Sequence, residues 1–122
     1  MRMAGWGVAA LASLLISSTA MAEDIAGEWH GTIDANGQTL RVALHVKKTS
    51  AGYEGTADSL DQGLDGLVLA NIVTDGQTLS FSVLSTDGTY QGKWDETSHQ
   101  WVGQWTQGTA LKLDFTRGAI TP

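Results

Sequence analysis

Acidic side chains gather in one place in this sequence: Asp58, Asp61 and Asp65, with Gln62 among them. Calcium takes hard oxygen donors of this kind, but the spacing is not the alternate-residue pattern of a helix–loop–helix calcium loop, and a solvated acidic turn explains it as well. His30, His45 and His99 could in principle bind zinc or act as a base, yet none has a second histidine or a cysteine at ligand spacing. Ser59, Ser80 and Ser82 would need an adjacent base to become nucleophiles, and no strand register brings a histidine to them. Acid, base and nucleophile do not converge, so the chain reads as non-enzymatic, with no catalytic residue, metal site or cofactor expected. The remaining chemistry is apolar. Trp29, Tyr53, Phe81, Tyr90, Trp94, Trp101, Trp105 and Phe115 share one strand parity and are the candidate lining of a ligand pocket.

That parity follows from how the aromatics are spaced. Gly27-Glu28-Trp29-His30-Gly31, Tyr53-Glu54-Gly55, Tyr90-Gln91-Gly92-Lys93-Trp94 and Trp101-Val102-Gly103-Gln104-Trp105 each set a glycine two residues from an aromatic. A spacing of two puts both on one face of a β-strand. Glycine weakens a strand unless sharp coiling, or a ring lying over the backbone, makes up the loss. Repeating the device on four strands describes a small, strongly curved sheet, most simply a closed barrel.

Turn signals divide the chain into eight alternating segments, at about 25–34, 39–48, 52–59, 67–74, 78–84, 89–95, 100–106 and 110–116. The run Leu67–Val73 is continuously apolar, so its parity cannot be read and a bulge is admissible. Asn36-Gly37, Asp75-Gly76 and Asp87-Gly88 are strong hairpin signals, because type I′ turns need positive φ. Only Asp61–Gly66 reads as longer than an ordinary hairpin turn. A first hairpin centred on Asn36-Gly37 sets Trp29 against Leu44 and Gly31 against Val42. The second then sets Leu44 against Gly55 and Val42 against Ala57, with His45 between Glu28 and Glu54 and Arg41 opposite Asp58 outside. Eight antiparallel strands joined by hairpins close most economically into a lipocalin-like up-and-down barrel, which removes exposed edges.

The N-terminus reads as an export signal. Arg2, the apolar run Val8–Ile16 and Ala20-Met21-Ala22 match the three parts of a cleaved signal peptide over residues 1–22. The run is too short for a membrane span, which needs about 20 apolar residues, so no membrane insertion is expected after cleavage. Residues 23–122 then form one β-barrel domain, periplasmic or secreted, held together without any cysteine. Six scattered basic residues against thirteen acidic ones leave that segment at about −7, a balance that argues against nucleic acid and anionic membrane surfaces.

One further pattern is more specific. Asp58-Ser59-Leu60-Asp61-Gln62-Gly63, an apolar strand, then Gly103-Gln104-Trp105-Thr106-Gln107-Gly108, Leu111-Lys112-Leu113 and Arg117 follow the opening Gly27-Glu28-Trp29. Gly-x-Trp on the first strand looks like the start of lipocalin- and avidin-type barrels. The whole order, nearly all of 23–122, resembles the small β-domain at the N-terminus of many secreted bacterial α/β-hydrolases. The resemblance implies a barrel that does no chemistry itself. The sequence holds no Gly-x-Ser-x-Gly nucleophile elbow and reads as a stand-alone copy, so hydrolase activity is not expected.

Two uses are open. An eight-stranded barrel is either filled by side chains or holds one small ligand, and in the second case Gly31, Gly55, Gly92 and Gly103 leave room opposite the rings. Asp58, Asp61, Gln62, Gly63 and Leu64 would then form a lid or recognition loop at one mouth. The partner is a small apolar ligand or an envelope protein. The alternative is an accessory subunit or inhibitor of a secreted hydrolase, although only Glu23 and Asp24 would precede strand one as an inhibitory arm.

Overall fold

The computed structural model describes residues 24–120, so the signal peptide 1–22 and its cleavage site lie outside the described residues. The strands are β1 (Gly27–Ala35), β2 (Gln38–Thr49), β3 (Gly52–Ser59), β4 (Leu64–Thr74), β5 (Thr78–Val83), β6 (Gly88–Asp95), β7 (Gln100–Gln107) and β8 (Thr109–Arg117). Each pairs antiparallel with the next, and β8 returns to β1 through Trp29–Arg117 and His30–Thr116, so the sheet is a closed barrel. The expected all-β, eight-stranded antiparallel up-and-down barrel is what the chain forms.

Alternation fixes the faces. In β1, Trp29, Gly31 and Ile33 are buried while Glu28, Thr32 and Asp34 are exposed. Asn36 and Gly37 have φ of 55° and 80°, the two positive values a type I′ turn requires, and the first hairpin has the expected register. The second hairpin differs. It turns tightly on Ser50 and Ala51, closing at Thr49–Gly52, which slides β3 by two residues. Leu44 therefore meets Ala57 and Val46 meets Gly55; His45 faces Thr56, Glu54 faces Lys47, and Asp58 lies opposite Ala43 rather than Arg41. A slip of two preserves parity, so the buried set survives while the outer partners change.

Strand β4 starts earlier than its apolar run, at Leu64, because Leu60–Gln62 form one 3-10 turn that Gly63 ends with φ 68°. The expected open loop Asp61–Gly66 is thus a tight turn followed by a strand. Two irregularities then resolve the parity of β4. One lies between the Ala57 and Ser59 pairs, near Gly66; the other lies between Ala70 and Val73, where Asn71 has φ 54°. The bulge at Asn71 lets Leu67, Leu69 and Ile72 all pack on the core while Val68 and Val73 stay outside. Asp87-Gly88 is not a two-residue turn either. Leu84–Thr86 make a second 3-10 turn ended by Asp87, and Gly88 already pairs with Val83.

The core is aromatic: Tyr90, Trp101 and Phe115 are fully buried and Trp29 nearly so. Tyr90 lies over Gly92 and Gly103, where a Cβ would come 2.7 Å and 2.6 Å from its hydroxyl oxygen. A Cβ on Gly88 would collide with the ring of Trp105. These glycines are therefore covered by rings and leave no room for a ligand. At Gly31 and Gly55 the neighbouring strand's backbone takes the space: a Cβ would strike the carbonyl of Asp114 or of His45.

Candidate functional site

The two ends of the barrel differ. At the end where β1 begins and β8 finishes, Ile25 is fully buried and accepts the Trp29 indole N–H through its carbonyl at 2.9 Å. Arg117 lies over the Trp29 ring at 4.2 Å and donates to the Ala26 carbonyl at 2.8 Å. Trp29, Trp94 and Trp101 meet edge to face with centroids 5.3–6.4 Å apart and fill this half. Among the described residues the buried Trp101 indole N–H has no hydrogen-bond partner. Tyr53 also belongs here, its hydroxyl donating to Asp24 at 3.0 Å.

The other end is hollow. A cavity of about 80 Å³ has an apolar floor of Ile33, Val42, Leu44, Ala57, Leu67, Phe81, Val83, Leu113 and Phe115. Asp58, Ser59, Gln62, Leu64, Thr86, Trp105 and Gln107 form its rim. Of the eight aromatics expected to line a pocket, Phe81, Trp105 and Phe115 do so. Trp29, Tyr53, Trp94 and Trp101 belong to the filled end. Tyr90 stands behind the cavity wall, stacked on Phe81 at 5.2 Å and edge-on to Phe115 at 5.1 Å, and its hydroxyl donates to the Leu113 carbonyl at 2.9 Å. Burial, with Asp114 nearby, pushes the Tyr90 phenol well above its ordinary range. The aliphatic floor escaped the sequence reading because residue type drew attention to rings. Inward parity combined with nearness to the Asn36-Gly37 end would have selected Ile33 and Val42.

The residues Asp58–Leu64 do gather at this mouth, with divided roles. Asp58, Gln62 and Leu64 line the cavity, and Ser59 donates to the Gln62 amide oxygen at 2.6 Å. Gly63 supplies the left-handed turn that brings Leu64 back to the rim. Asp61 turns away: it accepts the Arg41 backbone N–H at 2.7 Å and pairs with its guanidinium at 2.8 Å. Those bonds to Arg41 hold the Asp61 carboxyl below its usual range.

Asp58 is the organising carboxylate. One oxygen lies 2.7 Å from His45 Nε2, and the other accepts the Gly66 N–H at 2.9 Å. Burial alone would raise its pKa; the bonds from His45 and Gly66 outweigh it, and the carboxyl titrates below its ordinary value. His45 Nδ1 also reaches Glu28 at 2.6 Å, so one imidazole bridges β1 and β3. The Asp58 bond, reinforced by Glu28 against a burial penalty, raises the His45 pKa above 6.5. The acidic cluster is thus dispersed, Asp58 to His45 and Asp61 to Arg41. Among the described residues, no group of three or more His, Cys, Asp or Glu is arranged to hold a metal ion. His30 Nδ1 lies 2.9 Å from the Gly118 carbonyl, and His99 sits in a turn beside Trp94. Ser80 and Ser82 face Gln91 and Thr89 across the β5–β6 ladder, away from any histidine.

Fold and site together define a one-mouthed eight-stranded β-barrel with a small apolar cavity. No protein-family model, no curated protein and no solved structure matches this chain.

Proposed function

We propose that this is an exported, non-enzymatic barrel that binds the apolar end of a small amphiphile at its open mouth. The observation that carries the reading is the cavity itself: an apolar floor under a polar rim. Its volume decides how much it takes. At about 80 Å³ it is well below the roughly 300–1,000 Å³ of sites that engulf a drug-sized ligand, and about half of a cavity that admits benzene. A short alkyl group or a single branched tip fits, with the rest of the ligand between the rim residues. Leu64 and Leu84, 41% and 68% exposed at this end, provide apolar lips.

Titration with 1-pentanol, followed by the indole N–H signals in a nitrogen-edited NMR spectrum, tests this. Trp105 is expected to shift saturably while Trp29 and Trp101 stay put. A uniform drift of all indoles, or none, would refute it. A second reading, accessory subunit or inhibitor of a secreted hydrolase, draws on the resemblance to hydrolase-associated domains and on Val68 and Val73, 62% and 63% exposed on the outside of β4. Co-elution with a secreted α/β-hydrolase, abolished by Val68→Asp with Val73→Asp, would favour it over the first.

A further inference from the structure

The rim of the cavity is polar without presenting a charge. Asp58 lies between the inward-facing Ala57 and Ser59, so its carboxylate turns to the outer wall, where His45 and the Gly66 N–H hold both oxygens. Arg41 and Asp61 are paired with each other at 2.8 Å. The other residues lining the cavity are uncharged. Ser59 shares the inward parity of Ala57, and Gln107 that of Trp105. The hydrogen bonds at the rim leave a definite remainder. The Trp105 indole N–H, a donor only, meets the Gln107 amide oxygen at 3.3 Å, and Ser59 donates to the Gln62 amide oxygen at 2.6 Å. Each amide therefore has its oxygen engaged and keeps its –NH2 group as a donor. The Thr86 hydroxyl directs its proton to the Val83 carbonyl at 3.2 Å, so it adds no donor of its own.

We infer that the mouth takes a short neutral amphiphile whose head accepts hydrogen bonds, the carbonyl of a ketone, ester or amide, and discriminates against charged heads of either sign. This rests on the mouth-cavity reading above. The alkyl end fills the floor at Phe81, Val83 and Phe115, and the carbonyl oxygen accepts from the Gln62 or the Gln107 amide. An alcohol uses the same donors through its oxygen. An ammonium or a carboxylate brought to this rim gives up water and meets no opposite charge, a loss that a neutral head does not incur. The ion pairs of Asp58 with His45 and of Asp61 with Arg41 hold the rim segment to the barrel wall and leave the recognition to the two amides.

The test titrates 2-pentanone, pentylammonium, pentanoate and xenon into the intact protein and follows the Trp105 indole signal. Xenon is the probe without a head, since it enters dry apolar cavities. 2-Pentanone is expected to bind about tenfold or more tighter than either ion. Gln62→Leu with Gln107→Leu should weaken 2-pentanone about threefold to tenfold while leaving xenon within about twofold. Equal weakening of both probes, or of neither, would overturn the donor role of the two amides. If that variant fails to fold, the ranking on the unaltered protein decides the matter. Either ion binding within about threefold of the ketone would overturn the inference while leaving the cavity standing. Silence of Trp105 towards all four probes would overturn the cavity reading and this inference with it.

Discussion

His45 sets the sharpest expectation for a single residue, because its two ring nitrogens join strands on either side. A raised folded pKa means the imidazolium is stabilised by folding. That contribution is complete below the unfolded value of 6.5 and fades as pH climbs through the folded one. Asp58 works in the opposite sense: its lowered pKa gives stability that is present above 3.8 and is lost as pH falls through the folded value. Urea midpoints should therefore peak in mildly acidic buffer and decline above neutrality, and His45→Gln should flatten the alkaline decline. An unchanged profile in that variant would remove the bridge from the energetics. Tyr90 offers a second handle. Tyr90→Phe breaks the bond to the Leu113 carbonyl and should cost about 0.5–1.5 kcal/mol in denaturant unfolding. Gly103→Ala should cost more than that, because its Cβ would strike both the Gln91 carbonyl and the Tyr90 hydroxyl, and a strand backbone cannot retreat as a side chain can.

Among the elements, β4 is the one whose shape depends on a strained residue. Asn71 adopts φ 54° between the Ala70 and Val73 pairs, a conformation that β-branched residues resist. Asn71→Val should destabilise by about 1–3 kcal/mol, whereas Asn71→Gly should be neutral or mildly stabilising; equal melting temperatures for the two would deny the bulge its role. Legibility in the sequence tracks how strongly each turn declares itself. Asn36-Gly37 fixed the first hairpin to the residue, because two positive φ values leave few alternatives. Ser50-Ala51 carries no such demand, and the second hairpin was read two residues out of register. The continuous run Leu67–Val73 has no alternation to read, since a bulge supplies the parity change that alternation would otherwise show. Asp87-Gly88 resembled a tight turn although a 3-10 turn precedes it, because Asp87 takes a left-handed φ of 59° in either arrangement.

For the molecule as a whole, barrel closure could be read in the sequence and its hollow end only in part. Residues of the Asp58–Leu64 stretch lie at the mouth of the cavity, where the chain departs from hairpin regularity through a 3-10 turn. The aromatics pointed as much to the filled end as to the cavity, because large rings serve core packing and ligand contact alike. Register alone does not separate the two sets, since Phe115 of the cavity floor is the direct β7–β8 partner of Trp101 of the filled end. Ala57 gives a direct check at this scale: it lines the cavity with a small side chain, and Ala57→Leu should fill the space. Pentanol binding should vanish with stability within about 1.5 kcal/mol; retained binding would place the ligand elsewhere. The closed end has a consequence of its own. There Arg117 donates to the Ala26 carbonyl and the Gly118 N–H to the Glu28 carbonyl at 2.8 Å, so β1 and β8 meet beside the plug. The Ser50-Ala51 turn lies at this same end. A short linker from the end of β8 to the start of β1, with the chain reopened between Ser50 and Ala51, gives a circular permutant with reordered strands and an untouched mouth.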